Sequence, residues 1–394
     1  MKSIITCLFL FVAISLQAQE EINFNSNSSW AEAREKSVKE HKLIFIDCYT
    51  SWCGPCKWME KNVFIQPAVY NYYNTNFINL KLDMEKGEGI EMKKKYNVQS
   101  YPTYLFVNDK GEIIHRTASR MTAEEFLAEA KLAGDPKKNS AALKAKYDNG
   151  TRDLSFLMDY YLVLKKSDRG ASEKIGTEVI DKVQESDLGT ALGWKIINNL
   201  ARAKDDKLGA WFMQHKDKIT SYSTTKERDA LTDRLISNSL YGKMRNGDEK
   251  GFFSELQHFK ASPDVNRQKQ GIMLEADYYQ EQKNVAAYNK LTSAALNGLL
   301  KDDADKLSFL ARRADMKGDG NAALLPQAYL MAKRAMELEP EEYSTVSTFS
   351  RVCLSMKKKE EGLIAAKKAR QLADAETSKI QKLAQNVIDE LNQL

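Results

Sequence analysis

The sequence predicts two domains of different fold class, an α/β domain followed by an all-α domain. In the first third of the chain, short apolar runs with strand-like alternation are separated by amphipathic helical patterns. After residue 140 the alternation is absent, and helical patterns follow one another to residue 394 with short Gly, Pro and Asp breakers between them. A chain of 394 residues also exceeds one typical domain.

The elements of the first domain can be placed one by one. Helices are predicted at 30–41, 56–64, 68–73, 88–96 and 122–132, strands at 42–49, 77–83, 101–107 and 112–115, and a short edge strand at 22–24. Ser29 with Glu32, and Thr122 with Glu125, have the spacing of capping boxes, which mark helix starts. Parallel strands joined by helices, followed by a hairpin that turns at 108–111, predict one mixed sheet.

A Cys-x-x-Cys motif, Cys53-Gly54-Pro55-Cys56, lies between the first predicted strand and the helix after it. A thiol at a helix N-terminus is stabilised as thiolate by unpaired backbone N–H groups and by the positive end of the helix dipole. We therefore expect Cys53 to be the nucleophile. Cys56 lies one helical turn deeper, so it can form a disulfide with Cys53 while shielded from solvent, and Pro55 suits the first turn of a helix.

Two other interpretations of the motif are a zinc half-site and ordinary core cysteines. Zinc needs a second pair of ligands, but the four histidines are scattered singly, at His41, His115, His215 and His258. We therefore predict no metal. Cys48 and Cys353 are predicted to be buried core residues.

The motif and its surroundings resemble thioredoxin. The resemblance depends on Asp47, six residues before Cys53, on the cysteine pair, and on the Pro102-Thr103 step. The first domain is also similar to the periplasmic thioredoxin-like domain of DsbD-type interchange reductases. That similarity includes Asp47-Cys48-Tyr49, Trp52-Cys53, Cys56-Lys57, Glu60-Lys61, Phe64 and Pro67.

The resemblance implies an α/β thioredoxin fold and roles for further residues. Asp47 would be a buried carboxylate that takes the proton of Cys56, and the alternative is an ordinary Asp at a strand end. Pro102 would follow a cis peptide bond and turn the backbone of Tyr101 toward a substrate, unless it is a trans proline that starts a strand. Substrate-binding residues would be Trp52, Gly54, Pro55, Tyr101 and Pro102, with a packing role as the alternative for Trp52.

The sequence departs from thioredoxin at two places. Where thioredoxins carry a lysine near the buried carboxylate, this chain has Asn79, with Lys81 two residues on and on the same strand face. Thioredoxins also have a glycine in the substrate groove after the last hairpin strand, and near that position this chain has His115-Arg116-Thr117. We therefore expect a bulkier, positively charged groove.

The expected activity is thiol:disulfide exchange that reduces protein or peptide disulfides, with the Cys53-Cys56 pair as redox centre and no other cofactor. Gly-Pro between the cysteines resembles the reducing members of the superfamily. A disulfide oxidase or isomerase is one alternative, and a helical-repeat binding scaffold that carries a thioredoxin-like module is another. The chain has no flavin or nicotinamide fingerprint, so a reductase in an oxidising compartment implies a membrane thiol electron donor.

Composition and the N-terminus predict where the protein works. Residues 1–18 have the basic start and short apolar stretch of a secretory signal peptide, with an uncleaved anchor as the alternative, and a periplasmic location is expected. No later segment is apolar for long enough to cross a membrane, so peripheral or no membrane contact is expected. The net charge of +5 is spread along the chain, which argues against nucleic-acid binding.

The remaining chain divides into a linker at 134–140 and a helical domain at 141–394, after a thioredoxin-like domain at 19–133. Two similar segments, 332–338 and 366–372, begin 34 residues apart. This is the tetratricopeptide (TPR) period, so we predict an all-α, TPR-like helical repeat domain.

Overall fold

The computed structural model describes residues 21–24, 29–316, 322–373 and 378–394. The chain forms two compact units with the boundary after Gly150, an α/β unit and a helical unit. The predicted fold class, an α/β thioredoxin fold followed by an all-α domain, is confirmed. The predicted signal peptide at 1–18 lies outside the described residues. Among the helices that are described, none is both long enough and apolar enough to cross a lipid bilayer.

The first unit alternates helices and strands. Its elements are α1 (Trp30–Glu40), β1 (Leu43–Tyr49), α2 (Gly54–Asn62), α3 (Pro67–Asn76), β2 (Phe77–Asp83), α4 (Gly89–Lys95), β3 (Thr103–Val107), β4 (Ile113–Ala118), α5 (Ala123–Gly134) and α6 (Ser140–Asp148). Both predicted capping boxes form, at the starts of α1 and α5. Each box satisfies backbone N–H groups that a helix cannot satisfy itself, which explains why these two helix starts were predictable.

The four strands form one mixed sheet in the order β2-β1-β3-β4. Strands β1 and β2 are parallel because α2 and α3 connect them, whereas β1 with β3 and β3 with β4 are antiparallel. The central strand β1 is buried from Ile44 to Cys48. Its side chains alternate between two cores, so Phe45 packs with residues of α2, α3 and α5, and Cys48 packs on the opposite face. Asp47, in phase with Phe45, therefore points to the α2 side.

One predicted strand does not form, and another ends later than predicted. Residues 21–24 form no regular strand; instead the backbone N–H of Ile22 donates to the carbonyl of Phe64 at 3.1 Å, and the Ile22 side chain is buried. Strand β4 continues to Ala118, three residues beyond the predicted end at His115.

Helix α6 belongs to the first unit. It packs on β4, and the Oγ of Ser140 lies 2.8 Å from Nδ1 of His115. The other ring nitrogen of His115 lies 2.9 Å from the carboxylate of Glu129 on α5. The first unit thus extends past the linker predicted at 134–140, as far as Gly150.

The second unit is helical throughout its described residues. Its helices are α7 (Leu154–Lys165), α8 (Arg169–Lys182), α9 (Glu185–Leu188), α10 (Ala191–Leu200), α11 (Lys207–Gln214), a 3-10 helix (Lys216–Ile219), α12 (Thr225–Arg245), α13 (Glu249–Lys260), α14 (Val265–Glu281), α15 (Val285–Asn297), α16 (Ala304–Met316), α17 (Leu325–Leu338), α18 (Tyr343–Ser355), α19 (Lys359–Leu372) and α20 (Ser378–Gln393).

Most of these helices pack as successive hairpins. The hairpins are α7–α8, α10–α11, α12–α13, α14–α15, α16–α17 and α18–α19. Several side-chain hydrogen bonds between neighbouring hairpins join residues 34 to 36 positions apart, as in Lys195–Asp159, Arg267–Asp233 and Ser293–Gln327. The repeated segments found in the sequence lie in α17 and α19, the second helices of adjacent hairpins. This periodicity is compatible with the TPR-like architecture, which stays a prediction.

Candidate active site

The cysteine pair lies where the chain passes from β1 into α2. Cys53 and Cys56 form a disulfide, with their Cα atoms 5.3 Å apart. Cys53 is the N-cap residue of α2, and its Sγ accepts a hydrogen bond from the backbone N–H of Cys56 at 3.1 Å. The same N–H and the helix dipole favour negative charge on Sγ of Cys53 once the disulfide is reduced.

Burial does not distinguish the two sulfurs in this oxidised state. Cys53 and Cys56 each expose 2% of their surface. Around them Ser51 and Pro55 are exposed, and Trp52 is half-buried. The two cysteines therefore differ in their position relative to the helix start rather than in exposure.

Asp47 is a buried carboxylic acid on the α2 face of the sheet. It exposes 1% of its surface, and neither carboxyl oxygen has a hydrogen-bond partner among the described residues. Burial raises the pKa of Asp47 to about 7, Lys81 opposes the rise and Glu60 adds to it. A carboxyl group with this pKa can both accept and release a proton near neutral pH.

Lys81 and Glu60 form the charged surroundings of Asp47. Lys81 is the direct neighbour of Asp47 in the β1–β2 register, and its Nζ lies 2.7 Å from Oε1 of Glu60 on α2. The ammonium group also lies over the ring of Tyr49, 4.7 Å from its centre. Asn79 instead donates to Asn74 at 3.0 Å. Lys81, which the sequence analysis placed on the same strand face as Asn79, therefore supplies the positive charge beside the buried carboxyl.

Trp52 and Tyr101 form an aromatic wall beside the cysteine pair, and Pro102 follows Tyr101 in the chain. The Tyr101–Pro102 peptide bond is cis. The rings of Trp52 and Tyr101 meet edge to face with centres 5.8 Å apart, and Nε1 of Trp52 donates to Oε2 of Glu85 at 2.8 Å. Trp52 is thereby held in one orientation. Gly54 and Pro55, the remaining predicted substrate-binding residues, occupy the first two positions of α2.

The predicted groove residues His115, Arg116 and Thr117 do not form an exposed positive groove. Because β4 continues past them, His115 and Thr117 are buried, and the Arg116 guanidinium donates to the carbonyls of Tyr96 and Asn97. The expectation of a groove lined by these residues was wrong.

Ser119 and Arg120 lie at that end of the site instead. The N–H of Ser119 donates to the carbonyl of Pro102 at 3.0 Å, and Ser119 has φ of 83°, a conformation that favours glycine. The guanidinium of Arg120 lies over the ring of Trp58 on α2, 4.7 Å from its centre. Sequence reasoning missed both residues because it ended β4 too early.

Cys48 and Cys353, the other two cysteines among the described residues, are both buried. Cys48 lies on the opposite sheet face, and burial, followed by the charge of Asp47, raises its pKa far above the usual range. Burial also raises the pKa of Cys353 to about 12. Both settings disfavour the thiolate. Within the described residues, no three His, Cys, Asp or Glu side chains come together as metal ligands would.

Comparison with known proteins places the similarity in the first unit. A family model described as Thioredoxin-like matches residues 25–109. Thioredoxin-1 of Drosophila melanogaster is 37% identical over 86 residues, which are 22% of this chain and 72% of that protein. The thiol:disulfide interchange protein DsbD of Actinobacillus pleuropneumoniae is 32% identical over 120 residues, 29% of this chain and 20% of DsbD.

One solved structure covers a similar share. The solution structure of a candidate disulphide-isomerase from Bacteroides thetaiotaomicron is 47% identical, covers 30% of this chain and 98% of that chain, and has a TM-score of 0.28. The chain thus spans only part of these curated relatives, from 18–20% of the DsbD proteins to 61% and 72% of two fly thioredoxins.

Proposed function

The chain belongs to the thioredoxin family, and on this premise we propose that it reduces disulfide bonds of other proteins through Cys53 and Cys56. One observation carries the proposal. The two cysteines are bonded at the N-terminus of α2. Asp47, which is buried and has no hydrogen bond among the described residues, lies near the end of β1, the strand that precedes them. A redox pair and a proton acceptor are the two parts that thiol–disulfide exchange needs.

The first step uses the reduced enzyme. The thiolate of Cys53 attacks one sulfur of the substrate disulfide, so a bond forms between Sγ of Cys53 and that sulfur while the substrate S–S bond breaks. The second substrate sulfur leaves with the electron pair and takes up a proton. The N–H of Cys56, which donates to Cys53 here, stabilises the attacking thiolate.

The second step releases the substrate. Asp47 takes the proton of Cys56, directly or through water, and the Cys56 thiolate attacks Sγ of Cys53. The Cys53–Cys56 disulfide forms as the mixed disulfide breaks, and the substrate sulfur that was bonded to Cys53 leaves with the electron pair and is protonated to a thiol. Two electrons have then passed from the enzyme to the substrate, and the pKa of Asp47 near 7 suits the transfer at neutral pH.

The partners follow from this chemistry. An extended substrate segment would bind beside Tyr101 and Pro102, against Trp52, Gly54 and Pro55. The oxidised pair must be reduced again, and a membrane thiol donor would supply the electrons in the periplasm, where the predicted signal peptide would direct the chain. The cysteine pair is the only redox group that the mechanism requires. DsbD, a thiol:disulfide interchange protein, supports this assignment by its likeness to the first unit.

Insulin reduction by dithiothreitol tests the activity. The full chain should accelerate insulin precipitation, and Cys53→Ser should abolish the acceleration. Cys48→Ala is the matched control, since Cys48 is buried on the opposite sheet face and should retain the rate. An unchanged rate with Cys53→Ser would refute the proposal.

A redox titration of the pair tests the direction. A reduction potential of the Cys53–Cys56 pair of about −270 mV, as in thioredoxin, is expected for a reductant. A value of about −120 mV, as in DsbA, would assign an oxidase instead.

A further inference from the structure

The first helices of successive hairpins in the second unit are joined by ion pairs. In each pair, a cation of one hairpin meets an aspartate of the hairpin before it. The pairs are Lys195–Asp159, Arg267–Asp233 and Arg313–Asp277, at 2.6, 2.9 and 2.7 Å. They connect α10 to α7, α14 to α12 and α16 to α14. Each of these three cations therefore has a carboxylate that compensates its charge.

Arg234 on α12 breaks this arrangement. Like the cations of the three ion pairs, it reaches back to the hairpin before its own. There its Nη2 donates to the backbone carbonyl of Asn198 on α10 at 2.7 Å. A carbonyl near the end of a helix satisfies the hydrogen bond but supplies only a partial negative charge.

Two more cations lie close to Arg234. Lys165, at the end of α7, donates to Oδ1 of Asn199 at 3.1 Å, and Arg202 follows α10 by two residues. Among the residues that the structure describes, none of these three cations forms an ion pair with a carboxylate, and the side chain of Arg202 makes no hydrogen bond. We call Lys165, Arg202 and Arg234 the basic cluster.

Hydrogen bonds bring the three residues to one place. Asn238, one helical turn beyond Arg234 on α12, donates to the backbone carbonyl of Arg202 at 2.6 Å. Lys165 and Arg234 bind the neighbouring residues Asn199 and Asn198. The charge of Arg234 also lowers the pKa of Lys165 beyond the effect of burial, so these two cations repel each other and a bound anion would relieve the repulsion.

A cavity opens next to the cluster. It has a volume of about 730 Å³, lies between α12 and α14, and is lined by Arg234 together with Lys226 and Arg267. This volume is within the range of cavities that bind small ligands in proteins. Its lining also contains Asp229, Asp233 and Asp264.

We propose that the basic cluster binds a short acidic segment, rich in Asp or Glu, of a partner protein. Three cations without carboxylate partners match a few carboxylates, and arginine binds carboxylates with two parallel hydrogen bonds. The three aspartates in the cavity wall balance its three cations, so the excess of positive charge lies at the basic cluster rather than in the cavity. This surface lies in the second unit and does not depend on the cysteine chemistry.

Binding of a fluorescein-labelled hexaglutamate peptide to the full chain, followed by fluorescence anisotropy at low salt, tests the proposal. Arg202→Gln and Arg234→Gln should each weaken binding about fivefold. Arg245→Gln is the matched control: Arg245 is exposed on the same helix as Arg234, and no ion pair is found for it among the described residues, so its loss should leave the affinity unchanged.

Arg202→Gln keeps the test valid if Arg234→Gln disturbs folding, because the Arg202 side chain makes no hydrogen bond in the described structure. The proposal is overturned if the peptide binds wild type and both cluster variants equally, or if Arg245→Gln weakens binding as much as they do. It is also overturned if single-stranded DNA of equal charge binds more tightly than hexaglutamate and loses affinity in the same variants.

Discussion

Two buried aspartates, one in each unit, have opposite surroundings. Asp47 in the first unit has no hydrogen-bond donor among the described residues. Asp277 in the second unit, nearly as well buried, accepts from the hydroxyl of Tyr241 at 2.8 Å and from Arg313 at 2.7 Å. A carboxylate with two donors holds neighbouring hairpins together, whereas one without donors is disposed to exchange a proton. The two carboxyl groups thus differ in their hydrogen-bond partners rather than in burial, which is why Asp47 is the proposed proton acceptor and Asp277 is not.

The largest expected effect is on the pH dependence of stability, through Asp47→Asn. The raised pKa means that the folded state holds a proton that the unfolded state loses, so the wild type loses stability as pH rises from about 4 through 7. The variant lacks this loss and should gain up to about 4 kcal/mol on wild type between pH 4 and pH 8. Amide hydrogen exchange of β1, in the oxidised protein, measures the opening of this unit.

Asp109→Asn, in the turn between β3 and β4, is the control: it keeps Asp47 and should lose stability with rising pH as the wild type does. A parallel pH response of wild type and Asp47→Asn would mean that Asp47 titrates normally.

Asp277→Asn should give the next largest effect. The amide keeps one acceptor oxygen but loses the negative charge that pairs with Arg313, and its NH2 group cannot accept from the second donor, which should destabilise the second unit by about 1–3 kcal/mol. Amide exchange in α14 and α16 measures this change. Asp302→Asn, which removes an exposed ion pair with Arg334, should cost less than about 1 kcal/mol. Equal losses in the two variants would remove the contrast between buried and exposed carboxylates.

Substitutions beside Asp47 should shift its titration in opposite directions. Lys81→Gln removes a charge that lowers the pKa of Asp47, so the pKa should rise, and Glu60→Gln should make it fall. The carboxyl carbon resonance of Asp47, followed by NMR against pH, reports both shifts. Shifts of the same sign would show that these side chains act by packing rather than by charge.

Arg234→Gln should have the smallest effect on stability. The variant loses one hydrogen bond to a carbonyl but also loses the repulsion from Lys165, so the change should stay within about 0.5 kcal/mol. Arg313→Gln, which leaves Asp277 buried without its cation, should cost more. Urea denaturation of the second unit compares the two, and a larger loss for Arg234→Gln would make the basic cluster a structural feature.

The sequence predicted those elements whose signals are local. Capping boxes at Ser29 and Thr122, and the alternation of residues 77–83, located helices and a strand close to their observed bounds. The end of β4 was missed because polar His115 and Thr117 do not read as strand core. They are buried since α5 and α6 cover them, with Glu129 and Ser140 satisfying the ring of His115.

The sequence alone determined that a cysteine pair begins a helix directly after a buried strand, because strand periodicity, the breaker residues and helix capping all act within a few positions of one another. Only the tertiary structure decided what surrounds Asp47 and Arg234. The strand register brings Lys81 beside Asp47, and hairpin packing brings a carbonyl rather than an aspartate to Arg234. Desolvation and Coulomb interactions depend on distances between elements far apart in the chain, which no local pattern contains.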